Sequence, residues 1–551
     1  MYYSHKKTTG RIYIRQKVDL EDGMKKQTYL KGSLILMASA VAAKVLGAAF
    51  RIPLTNMLGG VGMGYFGCAY SIFMPVYALI VTGISSAVAR LTASRAALGL
   101  YGSVKQIRST ALLIFTAAGV PASLLMAAIA KPYSIYSAGS PNAAAGIMMI
   151  APAVVFGCIT AVERGYYEGL SNMYPTALSQ AAEGLVKAAA GLWLCGYVTS
   201  HESEMLRLFP WAGDIRALAS AAGILGVTLS TAAAALYFGI MRMFSAPLPE
   251  GDLTFESRRT IAKELIRAAL PIGIAALVTD LSALIDMWSM IGVLSRSGAY
   301  EGMFTGAASG ESAQFVYGSF SGIALTVFNL VPSVTNMLGK GALTNTAAAR
   351  ELGSHDALKN SSMQALLAAA VISVPAAVGL GLFAPEVLGL LFPRQSEEVA
   401  LCILPMRLLM PGMLCLCLSF PVFSMLQGVG RSDAPLKIML AGTAAKLAGN
   451  LALLPVIGVE GAAVSTSLSY VLILSLALRT YFRESGIKLD AKPFASIIYA
   501  GAMCAGTSFL VGKTAERSGS LAVLVFAGTA GGAAYIAVLR ATKMRCCEKQ
   551  R

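Results

Sequence analysis

The sequence predicts an all-α polytopic membrane protein with about 14 transmembrane helices, arranged as two pseudo-symmetric six-helix lobes plus two C-terminal helices. The first observation is composition, because 56% of the 551 residues are hydrophobic and only 13% are charged. Soluble globular chains carry about 25% charged residues. The second observation is a series of long apolar runs without strand-like alternation, which indicates helices rather than a barrel. The third is a weak internal repeat.

The predicted elements follow one another with short connections that contain no soluble domain. Residues 1–31 are polar and carry eight Lys and Arg, and we expect them to form a cytoplasmic extension. A helix needs about 20 apolar residues to cross the core of a bilayer. The runs that meet this length are 32–57, 65–89, 109–130, 144–170, 175–199, 214–241, 264–294, 312–338, 360–383, 399–427, 435–456, 460–480, 493–512 and 519–539.

The distribution of basic residues predicts the orientation of these spans. With the N-terminus inside, 31 of the 44 Lys and Arg fall in cytoplasmic segments and 7 fall in external ones. We therefore expect both termini on the cytoplasmic side of a bacterial cytoplasmic membrane. The same distribution attributes the net charge of +16 to membrane topology, so we expect no nucleic-acid partner.

The internal repeat relates two parts of the chain about 260 residues apart, in the manner of many transporters. Pro175 and Lys187, which follow a Glu-Gly-Leu sequence, recur as Pro435 and Lys446 after Gln-Gly-Val. The repeat divides the chain into an N-lobe (32–241), a C-lobe (242–480) and a C-terminal segment (481–551) that holds the last two spans and a basic tail.

Cations inside the spans are the candidate functional residues, because each costs about 2.5–3.5 kcal/mol at the bilayer centre. Lys44 and Arg51 of the first span are seven residues apart, so both point the same way, and no acidic residue lies in that span. Two such cations suit an anion with spread charge, such as a diphosphate, because the guanidinium fork donates two parallel hydrogen bonds. The alternatives are an Arg51 that extends to the membrane interface and pairing with acids elsewhere.

Three further ionisable positions lie in later spans. Glu183 and Lys187 have the i, i+4 spacing of a helical ion pair, so mutual neutralisation competes with substrate binding by Lys187. Lys446 has Asn450 on its helix but no nearby acid in the sequence, which makes it a further candidate for substrate binding.

Two aspartates and a polar stripe complete the candidates. Asp280 and Asp286 lie about 120° apart around the seventh span. Asp286 either pairs with a cation of the first span or binds a coupling ion. The stripe consists of polar residues at helical spacing in the eighth span, namely Asn329, Ser333, Asn336 and Lys340. Such a stripe either faces a cavity or joins helices. We also expect Arg164 to pair with Glu168, four residues later.

The sequence contains no nucleotide-binding GxxxxGK[ST] loop, no Ser-His-Asp arrangement, no His cluster and no CxxC motif. We therefore expect neither an enzyme nor a metal or cofactor site. Whether the protein couples to the membrane potential or to an ion gradient stays open.

The run Lys44–Gly59 resembles the first helix of the stage V sporulation protein B branch of the multidrug/oligosaccharidyl-lipid/polysaccharide exporter superfamily, a branch related to MurJ-like lipid II flippases. Further similar segments are Gly64-Tyr65, 75–89, 269–273, 284–286, 322–330 and 427–430. The resemblance covers roughly residues 30–540. It implies a two-lobed exporter of fourteen helices that works by alternating access.

The resemblance also implies that cations of the first helix line a central cavity and engage a lipid diphosphate, and Lys44 and Arg51 match those positions. One difference is that the flippases carry an Arg in the eighth helix, where this chain has the neutral segment 317–329. The expected partners are a lipid-linked oligosaccharide, membrane lipids and cell-wall synthesis enzymes. The alternative functions are an ion-coupled multidrug exporter of the same fold and a non-transporting membrane scaffold.

Overall fold

The computed structural model describes the chain over residues 29–210, 214–244, 256–298, 300–305, 307, 310–351, 354–431, 433–487, 490, 492–515 and 520–548. Within these ranges every regular element is a helix, which confirms the predicted all-α class. The predicted extension 1–31 lies almost wholly outside the described residues.

The described residues form twenty α-helices. They are α1 Tyr29–Tyr77, α2 Gly83–Ala97, α3 Tyr101–Ala128, α4 Ala130–Ala138, α5 Ala144–Ile150, α6 Ala153–Gly169, α7 Tyr174–Ser200, α8 Glu202–Leu208, α9 Ile215–Phe244, α10 Arg258–Ser297, α11 Ser312–Ser319, α12 Leu325–Phe328, α13 Leu330–Glu351, α14 His355–Leu382, α15 Ala384–Leu391, α16 Ser396–Gly428, α17 Ala434–Ile457, α18 Val459–Ser485, α19 Lys492–Ala515 and α20 Ser520–Glu548. Two π-helical turns, Ala78–Thr82 and Phe320–Ala324, interrupt this succession.

The count of membrane spans differs from the predicted fourteen, which is not confirmed. Among the described residues, 11 helices are long and apolar enough to cross a membrane, or up to 12 if a bent pair is one span. One of them, Val45–Ala97, is 53 residues long and contains parts of the first two predicted spans, which explains part of the difference. Another part is α7, which carries Glu183 and Lys187 and is not among those 11 helices.

Gly59 separates the two arms of α1. Its φ of 66° and ψ of −176° break the helix, and this left-handed φ is one that glycine adopts without a Cβ penalty. The amide of the next residue, Gly60, donates to Glu398 Oε1 of α16 at 3.0 Å. The hairpin formed by the two arms of α1 is therefore fixed at its tip by the second half of the chain.

Helices of the first half of the chain pack against one another, as α7 does with α9 and α2 with α6. The same holds for the second half, in which α16 and α17 both pack against α18. The halves meet where α1 packs on α11 and where α10 packs on α2. Helices α19 and α20 pack together, and α19 contacts α14. The domain boundaries at 241 and 480 stay predictions.

The contact between α1 and α11 is close because glycines form it. A Cβ on Gly318 would overlap the carbonyl oxygen of Gly60 and the amide of Gly64. Since both neighbours are backbone atoms, neither moves aside as a flexible side chain does. The backbones of the two halves therefore touch directly at this point.

Gly318→Ala should separate α1 from α11 and lower the free energy of unfolding by about 1–3 kcal/mol, the usual cost of overpacking. The matched control is Gly379→Ala in α14, where an added Cβ meets nothing within 4 Å and helix propensity favours alanine. Thermal unfolding midpoints in detergent micelles test the pair. Equal midpoints for the two variants would contradict the close contact at Gly318.

Candidate functional site

Arg51 lies on the first arm of α1 and reaches across to the second half of the chain. Its Nη2 donates to the carbonyl oxygen of Ser321 at 2.9 Å, within the π turn Phe320–Ala324. Such single π turns inside helices are frequent at functional sites. The Nε of Arg51 is buried and has no hydrogen-bond partner among the described residues. The guanidinium is thus held at one nitrogen while a second donor is unused.

Lys187 of α7 approaches the same group of side chains from the other direction. Its Nζ lies 5.1 Å from the ring centroid of Phe50 and 5.8 Å from that of Tyr70, within the range in which an aromatic face attracts a cation. Tyr70 is also an electrostatic neighbour of Arg51, as is Tyr317. The Tyr70 hydroxyl is buried without a hydrogen-bond partner among the described residues. Tyr70 is therefore a neighbour of both cations, and we call Arg51, Lys187 and Tyr70 the cationic site.

The cationic site has an excess of positive charge. Across the part of the chain that the structure describes, neither Arg51 nor Lys187 forms an ion pair with a carboxylate, whereas other cations inside the spans do. An uncompensated charge away from water is costly, so an anionic ligand that supplies the missing charge is stabilised here. The unused donors on Arg51 and Tyr70 suit the oxygen atoms of a phosphate.

The predicted neutralisation of Lys187 by Glu183 is wrong. Glu183 Oε2 accepts from Arg164 Nη2 at 2.7 Å, and Arg164 Nε donates to Ser179 at 2.9 Å. Packing of α6 against α7 brings this arginine to Glu183. The ion pair of Arg164 is therefore with Glu183, not with the predicted Glu168, whose carboxylate accepts from the Ser85 hydroxyl at 3.5 Å.

The predicted pairing of Asp286 with a cation of the first span is also wrong. Asp286 Oδ2 accepts from Lys446 Nζ at 2.6 Å, and the two side chains are only 4% and 5% exposed. Asn450 donates to Asp286 Oδ1 at 3.2 Å and to Ser289 at 2.8 Å, and Lys446 also donates to Ser282 at 3.0 Å. The ammonium of Lys446 is thus engaged by α10, and the structure offers no support for its predicted contact with substrate.

The remaining candidates lie apart from the cationic site. Asp280 is half-buried on α10, and Asn329 is exposed and donates to the carbonyl oxygen of Leu325 at 2.7 Å. Asn336 of the predicted stripe is exposed as well, so these two amides do not join helices. Lys44 lies within α1, but its side chain and that of Lys340 are outside the described residues.

Sequence reasoning missed Tyr70, Tyr317 and the carbonyl of Ser321. A tyrosine in an apolar span gives no sequence signal that marks it as functional. A π turn is a feature of the backbone, and no residue type predicts it. The contact of Glu311 was also missed, because its partners are distant in the sequence. Its carboxylate accepts from Tyr65 at 2.6 Å and from Arg216 at 2.8 Å, which is a further contact between the two halves of the chain.

Comparison with known proteins decides the family. The family model described as polysaccharide biosynthesis protein matches residues 29–343, more than half of the chain. This chain belongs to the polysaccharide biosynthesis protein family. The MatE family model matches residues 311–451, in agreement with the exporter superfamily that the sequence resembles.

Two relatives from Bacillus subtilis (strain 168) match this family member over nearly its whole length. Stage V sporulation protein B is 25% identical over 524 residues, covering 94% of this chain and 95% of the relative. Lipid II flippase MurJ is 20% identical over 536 residues, covering 92% of this chain and 94% of the relative. The predicted resemblance is therefore confirmed.

Solved structures confirm the fold. A lipid II flippase MurJ in an inward closed conformation superimposes with a TM-score of 0.68 at 13% identity, over 94% of this chain and all of that one. An inward-facing multidrug resistance MATE family transporter gives a TM-score of 0.62 at 15% identity, over 82% and 98%. The protein is therefore a multi-pass membrane protein with the fold of these transporters, and the flippase relative and the structural matches are transporters rather than enzymes.

Proposed function

We propose that this family member moves an anionic lipid-linked oligosaccharide, a lipid II-like or other undecaprenyl-diphosphate sugar, across the bacterial cytoplasmic membrane by alternating access. The product would serve peptidoglycan, spore cortex or envelope polysaccharide synthesis. The observation that carries the proposal is the cationic site, in which Arg51 of α1 and Lys187 of α7 have no carboxylate partner among the described residues.

Moving a diphosphate through the apolar core of a membrane costs solvation free energy. A charged group loses several kcal/mol of effective solvation when it is buried, so a transporter must replace the lost water with fixed donors. The Nε of Arg51 and the hydroxyl of Tyr70 are two such donors without a partner. The cation of Lys187 adds charge that is not bound to a specific acceptor. A carrier for such a lipid needs these groups along the path of the diphosphate. We also propose that both chain termini lie in the cytoplasm, as the distribution of basic residues predicts.

The multidrug exporter is the first alternative, and it would favour an acidic site for cationic drugs. The acids at Glu163, Glu183 and Asp286 each form an ion pair with an Arg or Lys, so they offer no free charge to such a drug. The second alternative is a scaffold that recruits cell-wall enzymes. A scaffold has no need for cations without counterions, and their cost favours a transported anion.

Lys187→Gln should reduce translocation about 10–100-fold, because a hydrogen bond or contact with a charged group contributes about 1.5–3 kcal/mol. The measurement is the movement of a fluorescent undecaprenyl-diphosphate oligosaccharide across the bilayer of reconstituted vesicles, per folded molecule. The matched control is Lys437→Gln, an exposed lysine paired with Asp433 within its own helical turn, which should transport normally.

Two outcomes of that assay would contradict the proposed function. In the first, wild-type vesicles do not move the lipid-linked sugar but export a cationic dye in response to an ion gradient, which favours the multidrug exporter. In the second, the vesicles move neither compound although the protein is folded, which favours the scaffold.

A further inference from the structure

The contact between the two halves of the chain forms a continuous seam along α1 and α11. At the tip of the hairpin, Gly60 and Gly64 pack on Gly318, where an added Cβ would overlap their backbone atoms. Closer to the N-terminus of α1, the Thr55 hydroxyl approaches the carbonyl oxygen of Gly322 at 3.4 Å. The Arg51–Ser321 hydrogen bond follows. We call this set of contacts the outer seam.

Arg51 forms the inner end of the outer seam. Beyond Ser321 towards the predicted cytoplasmic side, the chain exposes Asn329, Val334 and Asn336. On the predicted topology Arg51 lies on the cytoplasmic side of the packed glycines, so a substrate that enters from the cytoplasm would meet the guanidinium first. The cation that is best suited to hold the substrate is also a contact that holds the two halves together.

We propose that the carbonyl oxygen of Ser321 occupies Arg51 in the empty transporter, and that a phosphate oxygen of the substrate displaces it and so releases the inner end of the outer seam. This inference rests on the proposed function and explains how substrate binding is coupled to movement of the halves. A ligand shifts a conformational equilibrium only through contacts that differ between the two states. The Arg51–Ser321 bond is such a contact, because it is lost when the guanidinium turns to the substrate.

The chemistry favours this exchange in the required direction. A hydrogen bond from guanidinium to phosphate joins two charged groups and is roughly twice as strong as one between neutral groups. The carbonyl of Ser321 is a neutral acceptor, so its hydrogen bond keeps Arg51 in position but is weaker than the bond that a phosphate oxygen would form in its place. It also has a second donor available, because the hydroxyl of Thr326 lies 3.3 Å away. Displacement therefore does not leave the carbonyl oxygen unpaired.

The test is a distance measurement between spin labels at Arg207→Cys and Arg394→Cys in lipid nanodiscs. Both positions are exposed and lie in predicted external segments of the two halves. Cys546→Ser and Cys547→Ser remove the cysteines of the tail, and the seven described cysteines are buried or half-buried. The probe is undecaprenyl diphosphate without a sugar, and its binding is measured separately on the same samples.

Adding the probe to the labelled wild type should shift the distance distribution towards longer values. Arg51→Leu should show the longer distances already without probe and should respond little to it. The matched control is Arg407→Leu. The guanidinium of Arg407 also donates to a backbone carbonyl, that of Gly381 at 3.3 Å, but it lies away from the outer seam. This variant should behave like the wild type. Thr55→Val removes the approach of the hydroxyl to Gly322 and its hydrogen bond to the backbone carbonyl of Arg51 at 2.9 Å. It leaves the Arg51 guanidinium in place, so the probe should produce the shift at a several-fold lower concentration.

The outcomes separate this inference from the proposed function. If the probe binds the wild type through Arg51 but leaves the distances unchanged, the displacement is overturned and the substrate proposal stands. The displacement is equally overturned if Arg51→Leu keeps the short distances of the empty wild type. If Arg51→Leu binds the probe as tightly as the wild type does, both proposals are overturned.

Discussion

Arg51→Ala should abolish translocation of the lipid-linked sugar while the protein remains folded and inserted. The guanidinium is the one group of the cationic site that both contacts the opposite half, through Ser321 at 2.9 Å, and keeps an unused donor at Nε. Alanine removes both the positive charge and the fork of donors that a diphosphate requires. Because the loss of two charge-assisted hydrogen bonds amounts to about 3–6 kcal/mol, the expected decrease is at least 100-fold.

Arg51→Lys should retain part of the activity, because the charge remains while the planar fork is lost. The measurement is the rate of lipid translocation per folded molecule in reconstituted vesicles, for the wild type, Arg51→Ala and Arg51→Lys. The matched control is Arg407→Ala, which removes an arginine that donates to the carbonyl of Gly381 at 3.3 Å. Near-normal transport by Arg51→Ala would falsify the assignment of this residue to the substrate, and equal loss in both alanine variants would attribute the effect to arginine removal in general.

Lys446→Met should lower the free energy of unfolding by about 3–5 kcal/mol, because it leaves the buried carboxylate of Asp286 without its counterion. The pair is almost inaccessible to water, and Asn450 and Ser282 complete its hydrogen bonds. The measurement is the unfolding transition in mixed micelles. Asp286→Asn combined with Lys446→Met should recover most of the loss, because the double variant buries no charge and keeps an amide oxygen that accepts from Asn450.

The matched control for this pair is Lys359→Met, which breaks the more exposed ion pair with Asp490 at 3.1 Å. Exposed pairs contribute about 0–1 kcal/mol, so this variant should unfold close to the wild type. A similar small effect for Lys446→Met would show that Asp286 is not held as a charged partner. If the double variant is stable but does not transport, the pair takes part in the transport cycle, which is the coupling role first considered for Asp286.

The sequence alone determines the fold class and the family, because both depend on composition and on local sequence patterns. Low charge and repeated apolar runs predict membrane helices whatever their packing, and the segment Lys44–Gly59 carries the family resemblance. The same local information identifies Arg51 as unusual, because a cation in an apolar run without a nearby acid is costly in any arrangement. The number of spans is harder to predict from the sequence, because parts of two predicted spans fall within Val45–Ala97, which the structure forms as one kinked helical unit.

Which charges neutralise one another was decided by the tertiary structure alone. Spacing along one helix favoured Glu183 with Lys187, yet packing brings Arg164 to Glu183, and it pairs Lys446 with Asp286 across 160 residues of sequence. Arg51 likewise reaches a carbonyl 270 residues away, which a π turn presents and no residue type signals. The physical reason is that a hydrogen bond or ion pair acts over a few ångströms, and helix packing alone sets which distant residues come within that range.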